Sequence, residues 1–328
     1  MVNGFFNRNR HGQFFPIDPN ERRETMTREH AVDIVARNGK TLSYRIQRSE
    51  TSGRTLVLIH GLASNLTRWS EFVATTCLAN DWNLLRVDLR GHGGSPDWGR
   101  IGIELWCDDL KEILTAERIP RAVIAGHCMG ANVALWFAHR APEIVDGLVL
   151  VEPMFRVALH GTLGRVSMFR HALIPAIVIS RALAALGVRR RRFPPLDLEV
   201  LDREARAYVQ RTGEFPVERF ASTREDLKFF PLVVFLQDLF AVTAETPEMS
   251  ALRCPALALL SSGGALTDPE IAVRQLARMP DCRIERLAAK HWIPTEQPEA
   301  MRRAIEEFCQ SIQPGLVNEI RKSEGDSK

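Results

Sequence analysis

The feature that most constrains this chain is the pentapeptide Gly126-His127-Cys128-Met129-Gly130, which joins the apolar run AVIAGH at 122–127 to the helix-like stretch that follows it. A strand that ends in a glycine and turns at once into a helix puts its turn residue on strained backbone. Side chains two positions to either side would collide with neighbouring main chain. Gly126 and Gly130 meet that demand. Cys128, between them, then faces the free amides of a new helix, a setting that favours a thiolate and a developing oxyanion. The pattern is Gly-x-nucleophile-x-Gly, with cysteine where serine is usual. A small buried thiol is the ordinary fate of a cysteine, and this context sets Cys128 apart from the other five.

Short runs rich in Val, Leu and Ile recur along the chain: TLVLIHG at 55–61, NLLRVDLRGHG at 83–93, AVIAGH, GLVLVE at 147–152 and PALALLS at 255–261. Each is followed by a helix-like stretch, which predicts a mainly parallel sheet with helices on both faces. AVDIVARNGKTLSYRIQ at 31–47 reads as a hairpin joined at Asn38-Gly39. The alternation is broken once, between Glu152 and Cys254, where helical patterns occur without a buried run. This predicts an α/β core over 31–153 and 250–312 and a helical cap over 154–249. Such a cap covers the C-terminal sheet edge, where open parallel sheets bind ligands. Residues 1–30 are expected to be a flexible leader, with Met26 as an alternative start, and 313–328 a polar tail.

The 328 residues carry 43 Lys plus Arg against 40 Asp plus Glu. A net charge of +3 over that length is no footprint for nucleic acid, so none is expected as a partner. Six cysteines without a CxxC pair, behind an N-terminus lacking an apolar signal core, read as reduced thiols of a cytoplasmic protein. The most apolar long stretch, 172–188, holds Pro175 and Arg181 and is a poor membrane span, so no integral span is expected. With no P-loop, no G-x-G-x-x-G after a strand and no HExxH, no metal, nucleotide or redox cofactor is expected.

Five segments in order, LVLIHGLASNLTRW at 56–69, DLRGHGGSP at 88–96, the elbow around Cys128, CPALALL at 254–260 and AAKHWIPTEQPEAM at 288–301, resemble the α/β-hydrolase superfamily, here in a variant with a cysteine nucleophile. The resemblance covers 31–153 and 250–312. It implies that fold, with Cys128 as nucleophile, His291 as base, and the amides of Leu62 and Met129 as the oxyanion hole. His60, His92 and His127 read as loop-shaping, and His139, His160 and His171 as solvated or structural. The position where the family usually carries its acid falls on Gly264. Two carboxylates compete for the role: Glu152, ending the run GLVLVE, and Asp268, which before Pro269 also reads as a helix N-cap. Glu152 is the expected acid.

The function so implied is hydrolysis of an ester or thioester through a covalent acyl-enzyme on Cys128. The expected substrate is a small molecule with a lipophilic acyl group, carrier-bound forms on coenzyme A or acyl carrier protein included. Phe229, Phe230, Phe235 and Phe240 are candidates for an apolar pocket above Cys128. The run Arg189 to Arg192 reads either as a grip for such a carrier's phosphate or as a solvated basic turn. Two alternatives stand beside hydrolysis: an acyltransferase passing the acyl group from a carrier thioester to an acceptor, and a non-catalytic binding protein of the same fold. His291 and the glycines around Cys128 argue against the binder; Gly264 argues for it.

Overall fold

The computed structural model describes residues 6–8, 14–16, 29–51 and 53–312. Within the span expected to be a leader, β1 (Phe6–Arg8) and β2 (Phe14–Pro16) pair antiparallel as a separate ribbon. The core begins at Glu29, two residues earlier than expected, because that residue already pairs with Gln47. The rest of the leader, Met26 included, and the tail at 313–328 lie outside the described residues.

The core is an eight-stranded sheet in the order β10-β9-β8-β7-β5-β6-β4-β3. β3 (Glu29–Val35) and β4 (Thr41–Gln47) form the expected hairpin, with Gly39 at φ +77° in the turn. β4 runs antiparallel to both of its neighbours, β3 and β6, while β5 (Thr55–Ile59), β6 (Asn83–Val87), β7 (Ala122–His127), β8 (Val145–Val151), β9 (Ala256–Ser261) and β10 (Cys282–Leu287) are mutually parallel. The middle strands read as continuous apolar runs because both of their faces are covered. Leu56 and Leu58 point into one core with Trp69, Phe72 and Ile305, whereas Val57 and Ile59 point into the other with Trp106, Leu110 and Phe137. β10, absent from the sequence reading, is an edge strand of sequence CRIERL with no fully buried residue, so it carries no apolar run to find.

Three helices of the first half, α1 (Ser70–Thr75), α2 (Ile103–Ala116) and α3 (Met129–Arg140), flank the sheet. The insertion after β8, the sixth strand of the sheet, is helical as expected. It holds α4 (Gly161–Met168), α5 (Leu173–Ala185), α6 (Leu198–Thr212), α7 (Val217–Phe220), α8 (Thr223–Phe229) and α9 (Leu232–Val242). α10 (Pro269–Leu276), α11 (Ile293–Glu296) and α12 (Pro298–Ser311) complete the chain's described part.

Successive parallel strands go one way from β7 (β8, β9, β10) and the other way from β5 (β6), so the winding reverses between β5 and β7. Ligand sites of open α/β sheets lie at such a reversal, beyond the strands' C-terminal ends. The turn after β7 is where Cys128 stands.

Candidate active site

Cys128 has φ +54° and ψ −119°, a conformation that a side chain adopts only under constraint. Its neighbours supply the constraint. A Cβ on Gly126 would sit 2.2 Å from the Gly130 carbonyl oxygen, and one on Gly130 would sit 2.5 Å from the carbonyl oxygens of Ile59 and His60. The turn therefore closes only with glycine at both places, as its spacing predicts. Cys128 N–H donates to the Val151 carbonyl at 2.9 Å, tying the elbow to β8. The thiol is 8% exposed at the N-terminus of the twelve-residue helix α3.

The loop after β5 passes close by, since a Cβ on Gly61 would lie 3.1 Å from the Cys128 Cβ. His60 fastens that loop: its Nδ1 donates to the Gly61 carbonyl at 2.8 Å and its Nε2 accepts from the Leu89 amide at 3.1 Å. Burial holds the His60 pKa well below the ordinary histidine value, which suits that neutral, loop-shaping use. Met129 is the first residue of α3, so its amide has no partner within the helix. Leu62 follows Gly61 in the loop that passes the Cys128 side chain.

His291 is buried, and its Nδ1 lies 2.9 Å from Glu152 Oε2. Burial by itself would lower the His291 pKa. Hydrogen bonds to Cys128 and to Glu152, together with the charges on both groups, outweigh it and raise the value to about 10. Glu152 follows directly on β8 at φ +53°, and its other oxygen accepts the Ser261 amide of β9. It is 2% exposed. The structure thus brings Cys128, His291 and Glu152 into one chain of contacts. Asp268 is elsewhere employed: its Oδ1 accepts the amides of Glu270 at 2.9 Å and Ile271 at 3.1 Å as the cap of α10. Gly264, at φ +53°, receives the His160 Nε2 on its carbonyl at 2.8 Å.

The cap is bolted over this site by buried polar pairs that local sequence gave no means of finding. Arg68 Nη1 meets both carboxylate oxygens of Asp202 at 2.7 and 2.8 Å, and Thr295 bonds to each partner. One cluster thereby joins the segment after the Gly61 loop, α6 and the helix after His291. His92 Nε2 lies 2.9 Å from Asp238 Oδ2 on α9, with both side chains closed to solvent. Beside His291 stand aromatic residues that were not named from sequence. Trp292, beside His291, stacks on Phe215 at 5.3 Å and meets Phe220 edge-on at 5.7 Å. Of the phenylalanines named from sequence, Phe230 packs on His92 of the core loop after β6, and Phe240 carries Arg170 within the cap. Among the described residues no group of three or more His, Cys, Asp or Glu is placed to hold a metal ion.

The sequence model of a family described as the alpha/beta hydrolase fold matches residues 54–293. Rv2715 of Mycobacterium tuberculosis is 36% identical over 101 residues, 30% of this chain and 29% of its own length, so the match spans under a third of that relative. Esterase YbfF of Escherichia coli is 26% identical over 258 residues, covering 77% of this chain and 92% of its own. The crystal structure of a hydrolase from Pseudomonas aeruginosa is similar in fold, with a TM-score of 0.62 at 23% identity over 85% of this chain and 98% of that one.

Proposed function

The chain belongs to the α/β-hydrolase family, and from that premise we propose that it hydrolyses an ester or thioester through a covalent acyl-enzyme on Cys128. The observation that carries this reading is the buried contact chain from Glu152 through His291 to the thiol on the strained elbow. A binding protein of this fold needs no such chain.

With the proton resting on His291, the Cys128 sulfur attacks the acyl carbonyl carbon. As the C–S bond forms, the carbonyl electron pair moves onto oxygen, which the Leu62 and Met129 amides receive. The tetrahedral species collapses, the bond to the leaving oxygen or sulfur breaks, and the leaving group takes the proton from His291. The neutral imidazole then removes a proton from water while the water oxygen attacks the thioester carbon. Collapse expels the sulfur, the acid product departs, and His291 holds the proton once more. Glu152 keeps the ring facing the thiol and stabilises its charged form throughout. An acyl group with apolar character is part of this reading, supported by the wall that Trp292, Phe215 and Phe220 build beside His291.

Intact-protein mass spectrometry tests the proposal. The protein is mixed with p-nitrophenyl butyrate and, separately, with butyryl-coenzyme A, and quenched in acid. A butyryl adduct mapped to Cys128 and discharged with turnover is expected. Turnover without any adduct, and undiminished in Cys128→Ala, would overturn it.

A further inference from the structure

Helix α5 is apolar along most of its length, with Ser180 and Arg181 as its polar residues, yet much of it is open to solvent. Its inner stripe, Leu173, Ile177, Ser180, Arg181 and Ala184, follows helical spacing and includes the helix's buried residues, Ile177 and Ala184. The outer stripe, Ile174, Val178, Ile179, Leu183 and Leu186, follows the same period and is equally apolar. Val178 is 55% exposed, Ile179 59% and Leu186 79%. An apolar face of that extent on a helix end-to-end is a surface made to be covered.

The charge around it says by what. From Pro153 to Leu196 the chain has eight arginines and no aspartate or glutamate, in a protein whose total charge is +3. Among the described residues only Arg156 of the eight has a salt-bridge partner, Glu245. Arg189 to Arg192 follow directly on the exposed end of α5, and Arg189 lies over the Trp98 ring at 4.2 Å without a carboxylate to neutralise it. Beside the helix, Leu183, Val188, Phe193 and Phe230 line a cavity of about 320 Å³ with Arg189 and Arg190 in its wall. An apolar stripe and cleft bordered by guanidiniums without carboxylate partners match a layer of acyl chains beneath anionic headgroups. No single described helix is long and apolar enough to cross a membrane. α4 and the stretch 170–185 reach that length only together, and they are bent by 75°. Such a segment is suited to lying in an interface.

We propose that the outer face of α5, with Arg189 to Arg192, docks this protein onto the surface of an anionic lipid bilayer. Docking does not depend on the proposed hydrolysis and can be read without it. In a flotation assay the full chain is mixed with vesicles of phosphatidylcholine alone or with phosphatidylglycerol included. Binding to the anionic vesicles alone is expected, declining as salt rises because the attraction is screened. Arg191→Ser with Arg192→Ser should weaken it about tenfold or more. Val178→Asp with Ile179→Asp should abolish it, at an unchanged melting temperature. The salt series on the unaltered protein tests the same idea without a substitution. Absence of binding, equal binding to both vesicle types, or binding indifferent to salt would overturn the proposal. So would a dimer in solution that Val178→Asp with Ile179→Asp dissolves while no vesicle is bound, since a second copy would then cover the face.

Discussion

Glu152 and His291 stand 139 residues apart in sequence, yet their side chains meet at 2.9 Å in a space closed to solvent. Three adjacent parallel strands make the meeting possible: Glu152 leaves the end of β8, Ser261 of neighbouring β9 donates its amide to the same carboxylate, and the His291 loop follows β10.

If that carboxylate orients and stabilises the imidazolium, Glu152→Gln should lower kcat/KM by about two to four orders of magnitude, by analogy with serine triads. Asp268→Asn should change neither activity nor melting temperature, because asparagine caps a helix as well as aspartate does. Steady-state kinetics and thermal unfolding of the two variants decide between them. An inactive Asp268→Asn beside an active Glu152→Gln would reassign the acid.

The His291 ring should hold its second proton far above the usual histidine range. Its carbon-bound proton signals in NMR are expected to titrate near pH 10 in place of 6.5. In Cys128→Ala the strongest cause raising the value is gone while burial still lowers it, so the midpoint should fall. Turnover should correspondingly decline above about pH 10 as the leaving group loses its proton donor. A titration near 6.5 in both proteins would contradict the contact with the thiol.

Burial pushes the thiols of Cys77, Cys107, Cys254, Cys282 and Cys309 up to about 12. At neutral pH these are almost wholly protonated and poor nucleophiles. Iodoacetamide at pH 7 should therefore alkylate Cys128 first and inactivate the protein with one equivalent, read by peptide mapping against residual activity. Even labelling of all six would show that Cys128 has no special reactivity.

Asp202→Ala should leave the Arg68 guanidinium buried without its carboxylate. Breaking a buried pair from one side costs about 3–5 kcal/mol. The loss should appear in urea unfolding and, by amide exchange, as loosening of α6 over the His291 segment. A change below about 1 kcal/mol, the range of an exposed pair, would mean that Arg68 finds water instead and that the cap is held by other contacts.

How much of this was open to reading from sequence follows from the range of the forces involved. The elbow was legible because its spacing is local: Gly126 and Gly130 are four residues apart, the first leaving room for the main chain of the next turn and the second for the end of β5. The buried strands were legible because a strand covered on both faces has no polar positions to spare, and β10 was lost because an edge strand has them. The hairpin showed itself through the left-handed residue its turn demands. The acid was of another kind. Glu152 and Asp268 are both carboxylates at the end of plausible elements, and only the side-by-side order of β8, β9 and β10 puts one of them against His291 while the other caps α10. The cap's bolts are equally silent, since Arg68 and Asp202 find each other across 134 positions. The outer face of α5 goes further, because a helix so largely apolar reads by pattern as a buried one. Burial is a property of what folds over a surface, and over this surface the described chain lays nothing.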